Sequence, residues 1–360
     1  MPDKQLIEKC INTGDLNREE ILELLKLPSH EVPMLIKAGD EVRRRYCGDE
    51  VHIRALVEFS NVCSRNCNYC GLRSHNSKIK RYEMPPEEIV ELAVQLDKKG
   101  LKTIVLQSGE NPHYTAEIIA DIIRKIKDKT DMAITLCVGE RPYDDYKLWK
   151  EAGADRYLLR HETANKEHYE KLHPDSKFED RMQCLYWLKE IGFQTGVGCM
   201  VGSPYQTYDC LADDLEFIKS FEPDMIGIGP YISHPDTPFT GFENGTVEMT
   251  LKMVALARII SRTALLPATT AIGSIDELGR EKALEAGADV VMPNYTPLKY
   301  RENYEIYPNK RCINEDPIHC HGCMQNRILS VGRVVSKEKG HSRKKIILGN
   351  ISTTKYFLNY

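Results

Sequence analysis

The sequence predicts a complete (β/α)8 barrel with helices ahead of it and an extension behind it. From residue 53 onward, eight short apolar runs alternate with amphipathic helical stretches. The alternation repeats about every 25 to 35 residues over roughly 250 residues, which is the unit size and length of such a barrel. Several of the helical stretches carry start and stop signals, such as Pro85 or Pro86 in a first turn and Gly100 after a last turn.

Residues 1–50 are predicted to form a helical segment packed on the barrel. The apolar residues of LIEKCI, of LNREEILELLKL and of residues 30–46 recur at the spacing of a helix face. Asp15 or Asn17 is the candidate N-cap of the second helix. We expect these helices to precede the barrel and to pack against it.

The barrel itself is predicted over residues 51–300, followed by a C-terminal extension over 301–360. Its strands are expected at residues 53–59, 103–108, 132–138, 156–160, 194–201, 224–230, 266–271 and 289–293. An open doubly wound sheet is the alternative. That fold usually places a glycine-rich phosphate loop after its first strand, where this chain has cysteines.

Composition excludes several classes of function. The 360 residues include 49 basic and 53 acidic ones, a formal charge of -4, so no positive field favours nucleic acid binding. No apolar run approaches the ~18 residues of a membrane span. The first ten residues carry charges where a signal peptide would be apolar, so we expect a cytoplasmic protein.

Twelve cysteines are unusual for a chain that we expect in a reducing compartment. Six of them form two groups, and the other six are scattered singly, which is typical of inert buried thiols. The first group, Cys63, Cys67 and Cys70, follows the first predicted strand immediately. Three thiolates are one short of a closed zinc or iron site, so this spacing predicts a metal centre with an open position, with a structural zinc loop as the alternative.

Two arginines stand out among the residues at the strand ends, where a barrel carries its chemistry. Arg156 and Arg160 lie four apart on one strand, so their side chains leave the same face. If that face is the inner one, the two guanidiniums need anionic partners. An internal ion pair with Asp155 or Glu162 is one interpretation, and a bound carboxylate or other anion is the other.

The cysteine spacing, with Tyr69 just before Cys70, resembles the radical S-adenosylmethionine (SAM) superfamily. The resemblance implies that Cys63, Cys67 and Cys70 hold a 4Fe-4S cluster whose fourth iron is chelated by SAM. It also implies a SAM pocket. Its residues by this resemblance are Tyr69, Gly109, Glu110, Glu162, Arg181, Met200 and Met225, and Ser108 replaces a glycine of the family's Gly-Gly-Glu motif.

The motifs RHETAN, HPDTP and PATTA and the segments around them resemble more closely the HydE family of radical SAM maturases, over about residues 40 to 325. That family acts in assembling the diiron active site of [FeFe]-hydrogenase. Residues at positions matching its cavity are the predicted catalytic set: Gln107, Ser108, Thr135, Arg156, Arg160, Thr269, Thr270, Met292 and Tyr304.

The resemblance implies reductive cleavage of SAM to methionine and a 5'-deoxyadenosyl radical. The implied substrate is a small organometallic iron species carrying CO, CN and cysteine, supplied by a partner maturase. The implied electron donor is a protein such as a ferredoxin or flavodoxin. A methylornithine synthase-like mutase, a biotin synthase and an iron-sulfur carrier without SAM chemistry remain alternatives.

The second cysteine group, Cys312, Cys320 and Cys323, lies beyond the eighth strand. Its spacing resembles the site of an accessory iron-sulfur cluster, 2Fe-2S or 4Fe-4S, in some family members. A zinc site that uses His319 or His321 is the alternative. The basic stretch from Arg333 to Lys345 is expected to be a solvated terminus.

Overall fold

The computed structural model describes residues 4–311 and 317–344, without the side chains of 317–321. Three helices come first: α1 (Lys4–Asn12), α2 (Arg18–Leu25) and α3 (Val32–Cys47). Asn17 caps α2, because its side chain accepts from the Glu20 N–H while the Glu20 carboxylate accepts from the Asn17 N–H. The predicted N-terminal helices are therefore present, and α3 packs against a helix of the barrel, α10 (Val247–Ser261).

All eight predicted barrel strands are present, and three of them are split in two. The strands are β1 (Glu50–Ile53), β2 (Ala55–Ser60), β3 (Thr103–Ser108), β4 (Ala133–Cys137), β5 (Arg156–Leu158), β6 (Gln194–Val197), β7 (Met200–Val201), β8 (Met225–Ile226), β9 (Gly229–Pro230), β10 (Pro267–Ala268), β11 (Val290–Val291) and β12 (Val334–Val335). β12 lies outside the predicted runs, and β1 shares only Ile53 with the first of them. Strands buried on both faces read as continuous apolar segments, which is why the sequence located them.

The strands close into a parallel barrel. One sheet runs in the order β2-β3-β4-β5-β6-β8, and β10, β11 and β1 pair in a second one. Two single bridges join these sheets, Met225 to Leu265 and Leu56 to Asn294. The closed circuit confirms the predicted (β/α)8 barrel over the open doubly wound sheet.

Helices cover the outside of the barrel. Besides α10 they are α4 (Pro86–Lys98), α5 (Ala116–Lys129), α6 (Tyr143–Glu151), α7 (Lys166–Leu172), α8 (Phe178–Ile191), α9 (Tyr208–Phe221), α11 (Thr270–Ile275), α12 (Gly279–Glu285), α13 (Leu298–Arg301) and α14 (Pro317–Ser330). The amphipathic pattern of α5 is representative, since Ile119, Ile122, Ile123 and Ile126 are buried on one face. Within the described ranges, no helix has the length and apolarity that crossing a bilayer requires.

The basic stretch after α14 corrects a prediction, because up to Lys344 it is not a solvated terminus. β12 pairs with β1, and the following residues, 336–344, which we call the floor segment, cross the lower end of the barrel where the strands begin. Within it, the Lys339 carbonyl accepts from Thr103 Oγ1 at 2.9 Å. Arg343 donates to the buried Asp289 at 2.7 Å.

Two buried arginines explain why the floor segment is held there. Arg156 donates to the carbonyls of Lys339 (2.7 Å) and Gly340 (3.0 Å), and Arg54 donates to the Gly340 carbonyl at 3.1 Å. In the described ranges, neither guanidinium lies within ion-pair distance of a carboxylate. Burial lowers the pKa of Arg156 to about 10. The main-chain carbonyls of the floor segment therefore supply two acceptors to Arg156 and one to Arg54, whose Nε has no partner.

Candidate active site

A cavity opens at the upper end of the barrel, where the strands end. It measures about 1200 Å³ including its open mouth. Its wall contains thirteen residues singled out in the sequence: Cys63, Cys67, Tyr69, Cys70, Gln107, Ser108, Gly109, Glu110, Arg160, Glu162, Arg181, Met200 and Tyr304. The strand-end location agrees with the general rule that barrel enzymes build their sites from the loops after the strands.

The cysteine loop after β2 presents three free thiols to this cavity, Cys63, Cys67 and Cys70. Burial raises the pKa of all three thiols, to about 12 for Cys70, and the negative charges of the neighbouring thiolates raise those of Cys67 and Cys70 further. Three thiolates on one loop need a bound cation to offset their charge, so the donor set fits a metal centre.

A close backbone approach locks the cysteine loop against the extension. The Gly71 N–H donates to the Ile306 carbonyl at 3.0 Å. A Cβ on Gly71 would lie 2.2 Å from the Glu305 carbonyl oxygen and 2.5 Å from His234 Nε2, so only glycine fits there. The residue directly after Cys70 is thereby fixed by the segment that covers the cavity.

The turn after β3 forms the wall beside the cysteines. Gly109 packs so closely on the cysteine loop that a Cβ there would lie 2.3 Å from the Val62 carbonyl oxygen. The Glu110 carboxylate is held by Arg65 Nε at 2.5 Å and by the Glu140 N–H at 3.0 Å. This carboxylate therefore has a fixed position next to the thiols.

Arg160 and Glu162 face each other across the cavity wall after β5, with Arg160 Nη2 3.0 Å from Glu162 Oε2. Arg160 also donates to the Cys199 carbonyl at 2.7 Å, but its buried Nε has no hydrogen-bond partner. Arg181 donates to the Arg160 carbonyl at 2.6 Å and to Glu140 at 2.5 Å. Ion pairs between arginines and glutamates thus fix this wall. The N–H of Arg160 Nε is left without a hydrogen-bond partner.

Aromatic and thioether groups form the rest of the wall. Tyr69 packs on Met200, Tyr231 and other buried apolar residues, and its hydroxyl lies 3.1 Å from His173 Nε2. On the opposite side, Gln107 donates to the Tyr304 hydroxyl at 3.1 Å. The cavity therefore combines a thiol corner, a charged wall and apolar surfaces.

Comparisons with known proteins identify this architecture. A family model described as the Radical SAM superfamily matches residues 57–218. Over 347 residues the chain is 50% identical to the [FeFe] hydrogenase maturase subunit HydE of Thermotoga maritima, covering 96% of this chain and 99% of that relative. The chain belongs to the HydE family of radical SAM enzymes. The resemblance seen in its sequence motifs is thereby confirmed.

More distant relatives of the HydE family share the fold. The 3-methylornithine synthase of Methanosarcina acetivorans is 29% identical, with 83% of this chain and 86% of that relative covered. The crystal structure of methylornithine synthase (PylB) superposes with a TM-score of 0.80 at 24% identity, covering 92% and 97% of the two chains. HydG from Carboxydothermus hydrogenoformans gives 0.77 at 21% identity, covering 92% and 78%.

Six predicted site residues do not line the cavity. They are Thr135, Arg156, Met225, Thr269, Thr270 and Met292. The expected anion site at Arg156 is corrected, because its guanidinium is directed to the floor segment. The expected cofactor contact of Met225 is corrected as well, because its side chain packs with Leu265 and Val290 in an apolar layer below the cavity.

The other four of these residues lie outside the layer of side chains that lines the cavity. Thr135 is buried on β4, and its hydroxyl has no hydrogen-bond partner, as is true of Thr269. Thr270 starts α11 and accepts from Arg280 at 3.2 Å. Met292 packs against the apolar layer of Met225.

Several cavity residues were missed by the sequence analysis. Cys137 and Tyr307 line the cavity, and Glu140 holds both Arg65 and Arg181. Cys137 lies two residues after Thr135 on the same strand face, a period that could have located it. No comparable local signal marks Tyr307, which comes from the extension.

The second cysteine group is described only in part. Cys312 lies outside the described residues, and nothing is described of the side chain of Cys320. Cys323 is exposed on α14 near Arg327 and Glu281. The proposed accessory cluster therefore stays a prediction.

Proposed function

We propose that this chain acts on an iron species carrying CO, CN and cysteine in the assembly of the diiron active site of [FeFe]-hydrogenase. Membership of the HydE family supports a role in hydrogenase maturation. The observation that favours an anionic substrate is Arg160, whose side chain is 31% exposed at the wall of a thiol-lined cavity. A charge-assisted hydrogen bond from this guanidinium suits an anionic complex.

Cys63, Cys67 and Cys70 would hold the 4Fe-4S cluster, and SAM would complete its coordination. The donor set fits, because these three free cysteines lie on one loop and all line the same cavity. When bound, the cluster and SAM together supply the reductive cleavage of SAM that defines the superfamily. The protein's part is to hold both groups and to exclude water around them.

The remaining residues divide between SAM and substrate. Gly109 and Glu110 would receive the amino group of SAM, Tyr69 would contact its adenine edge, and Glu162 with Arg181 would bind the rest. The fixed carboxylate of Glu110 supports this assignment, because it can accept a hydrogen bond from an N–H of the amino group. On the substrate side we propose Gln107, Ser108, Tyr304, Thr135, Thr269, Thr270 and Met292.

Two partners follow from this chemistry. A second maturase would supply the organometallic substrate, and a ferredoxin or flavodoxin would supply the electron.

A methylornithine synthase-like activity is less well supported. Its substrate, lysine, ends in an ammonium group that needs an acidic partner. The described carboxylates lining the cavity, Glu110 and Glu162, are each already paired with an arginine, Arg65 and Arg160. A biotin synthase-like second cluster inside the barrel is also disfavoured, since Cys199 does not line the cavity.

The decisive experiment is SAM cleavage by the anaerobically reconstituted protein, with and without Cys67→Ala. Reduced protein should give an S = 1/2 signal that SAM changes, and it should form deoxyadenosine. The variant should lose both, because two thiolates cannot hold the cluster. SAM cleavage that persists in Cys67→Ala, or no SAM binding by the unsubstituted chain, would rule out the radical SAM assignment and leave the carrier alternative.

Restored hydrogenase activity tests the substrate assignment separately. Expression of the chain in a strain that lacks this maturase should restore activity, and Cys67→Ala should not. If the protein cleaves SAM but fails to restore hydrogenase, the proposed substrate is wrong even though the cofactor assignment stands.

The accessory cluster has its own test. Replacing Cys312, Cys320 and Cys323 by alanine should remove the iron of one small cluster, because these residues lie beyond the barrel, yet keep the SAM-sensitive signal and most of the maturation activity. Iron and zinc analysis measures the first effect and hydrogenase activity the second. Unchanged iron with loss of zinc would favour the zinc alternative, and loss of all activity would make this group part of the mechanism.

A further inference from the structure

A strained residue marks the wall that carries Arg160 and Glu162. Glu162 has φ of 64°, in the left-handed region that residues other than glycine rarely adopt. Such strain persists only where the surroundings fix it, and it concentrates at functional sites. The surroundings of Glu162 therefore indicate what holds its carboxylate in place.

The main chain around Glu162 is pinned to the strand break after β6. The Glu162 N–H donates to the Gly198 carbonyl and the Met200 N–H donates to the Glu162 carbonyl, each at 3.0 Å. Arg160 reaches the same segment through the Cys199 carbonyl at 2.7 Å. These bonds fix two segments to each other, but both need a third support to stay aligned under the cavity.

That support is a buried carboxylate on α9. Asp214 Oδ1 accepts from the Ala164 N–H at 2.5 Å and lies 3.2 Å from His161 Nε2, and both side chains are fully buried. The Gly198 N–H is directed at His161 Nδ1 at 3.3 Å, so Nδ1 is the acceptor and Nε2 carries the proton on the side of Asp214. The contact between Nε2 and Asp214 lies within ion-pair distance but lacks hydrogen-bond geometry. The Cys199 thiol belongs to the same buried group.

We infer that His161 and Asp214 are positioning residues that set the strained turn of Glu162 and thereby its carboxylate in the SAM pocket. The inference rests on the proposed function, since it takes Glu162 to contact SAM. His161 lies between Arg160 and Glu162 in sequence. Its side chain is directed away from the cavity to Asp214, while the two flanking side chains line the cavity.

The same three side chains admit a different interpretation, a metal site. The ligand atoms of His161, Cys199 and Asp214 lie within 4.8 Å of one another. The main-chain hydrogen bonds favour a positioning pair, because the Ala164 N–H already holds Asp214 Oδ1 and the Gly198 N–H already holds His161 Nδ1. Metal content therefore forms one arm of the test.

A double-mutant cycle on the reconstituted protein tests the inference, with Asp214→Asn, Glu162→Gln and the double variant. We expect each single variant to weaken SAM binding at least 10-fold, measured with labelled SAM, while the cluster signal without SAM is unchanged. If Asp214 acts through Glu162, the double variant should bind SAM no more weakly than Glu162→Gln alone. Glu216→Gln, on the same helix but half exposed and paired only with Arg18, is the matched control and should bind SAM normally.

The outcomes separate the alternatives. Additive losses, or a lower melting temperature of Asp214→Asn with normal SAM affinity, would show a merely structural pair and overturn the inference. Stoichiometric zinc that leaves with Asp214→Asn would overturn it in favour of a metal site. If Asp214→Asn fails to fold, His161→Gln takes its place in the cycle with the same criteria. Absence of SAM binding by the unsubstituted protein would overturn the proposed function itself.

Discussion

At the lower end of the barrel, Arg156 is buried against two main-chain carbonyls of the floor segment. At the upper end, Arg160 borders the cavity, faces Glu162 and keeps one N–H unsatisfied. The two residues lie four positions apart on one chain segment, Arg156 at the start of β5 and Arg160 two residues after its end. They differ in their partners, which are main-chain carbonyls for Arg156 and the Glu162 carboxylate for Arg160.

An unpaired N–H does not by itself indicate a ligand site, because Arg54 at the floor has an unpaired Nε as well. Main-chain carbonyls accept from Arg156, so it stabilises the floor. Arg160 is 31% exposed at the cavity wall, so a ligand can add hydrogen bonds to its guanidinium. Substitution of Arg156 should therefore lower the stability of the protein, whereas substitution of Arg160 should lower product formation.

The largest difference is expected between Arg160→Ala and Arg156→Ala. Arg160→Ala should keep the cluster signal and SAM affinity but lower product formation about 10- to 150-fold, since a charged hydrogen bond contributes roughly 1.5 to 3 kcal/mol. Arg156→Ala should unfold more easily by about 3 kcal/mol, because buried carbonyls lose their donors. Anaerobic product assays and urea unfolding measure the two effects.

Arg160→Lys controls for charge, and it should rescue product formation only in part because an ammonium lacks the guanidinium fork. Equal loss of stability in both alanine variants would contradict the claim that Arg156 stabilises the fold while Arg160 serves the substrate. Loss of product formation with unchanged stability in Arg156→Ala would instead indicate that Arg156 contacts the substrate, as the sequence predicted.

Removal of the floor segment should have the next largest effect. A chain ending at Val335 leaves Arg54 and Arg156 without their carbonyl acceptors and should lose about 2 to 3 kcal/mol of unfolding free energy. A chain that ends at Lys344 retains the segment and is the matched control. Urea unfolding of the two chains makes the comparison, and equal midpoints would contradict a stabilising floor.

The smallest expected effect is a pH dependence of stability at the floor. His52 is 7% exposed beneath Gly340, and burial lowers its pKa to about 4. The unfolded chain, with a histidine pKa near 6.5, binds more protons between these values, so stability falls as pH drops through that window. The cost is about 1 kcal/mol between pH 7 and 5.5.

His52→Gln isolates this contribution, because other buried histidines such as His168 titrate in the same direction. The variant should show a flatter stability difference between pH 7 and 5.5 than the unsubstituted protein. The chain that lacks the floor segment should flatten it as well, since His52 then meets water. An unchanged slope in both would contradict the burial argument.

Local patterns explain what the sequence could predict. The strands were found because burial on both faces makes them apolar, and Cys63, Cys67 and Cys70 because they lie on one short loop. β12 was not found, because one of its two valines is exposed and the other only half-buried, so no apolar run marks it. It pairs with a strand 284 positions away, Glu50 with Val334. The hydrogen-bond partners of Arg156 could not be predicted either. They are main-chain carbonyls, which every residue has, so the sequence does not indicate which of them Arg156 contacts.

Charged partners that are distant along the chain were the other limit. Arg160 and Glu162 are two residues apart, and their pairing was among the expected alternatives. Lys310 and Glu58 form a buried ion pair across 252 positions, with no spacing rule to connect them. Thus the part of the site built from one loop or one strand was predictable, and the part contributed by the extension was not.

The contact at Gly71 also limits how this enzyme can be recombined with its relatives. Residues 70–72 and 304–307 have complementary backbone shapes, with no room for a Cβ between them. In a chimera whose junction falls between these segments, residues 70–72 would come from one parent and residues 304–307 from the other. Their backbones would then not be matched to each other. Both segments must therefore be inherited from the same parent, even though most of the barrel lies between them.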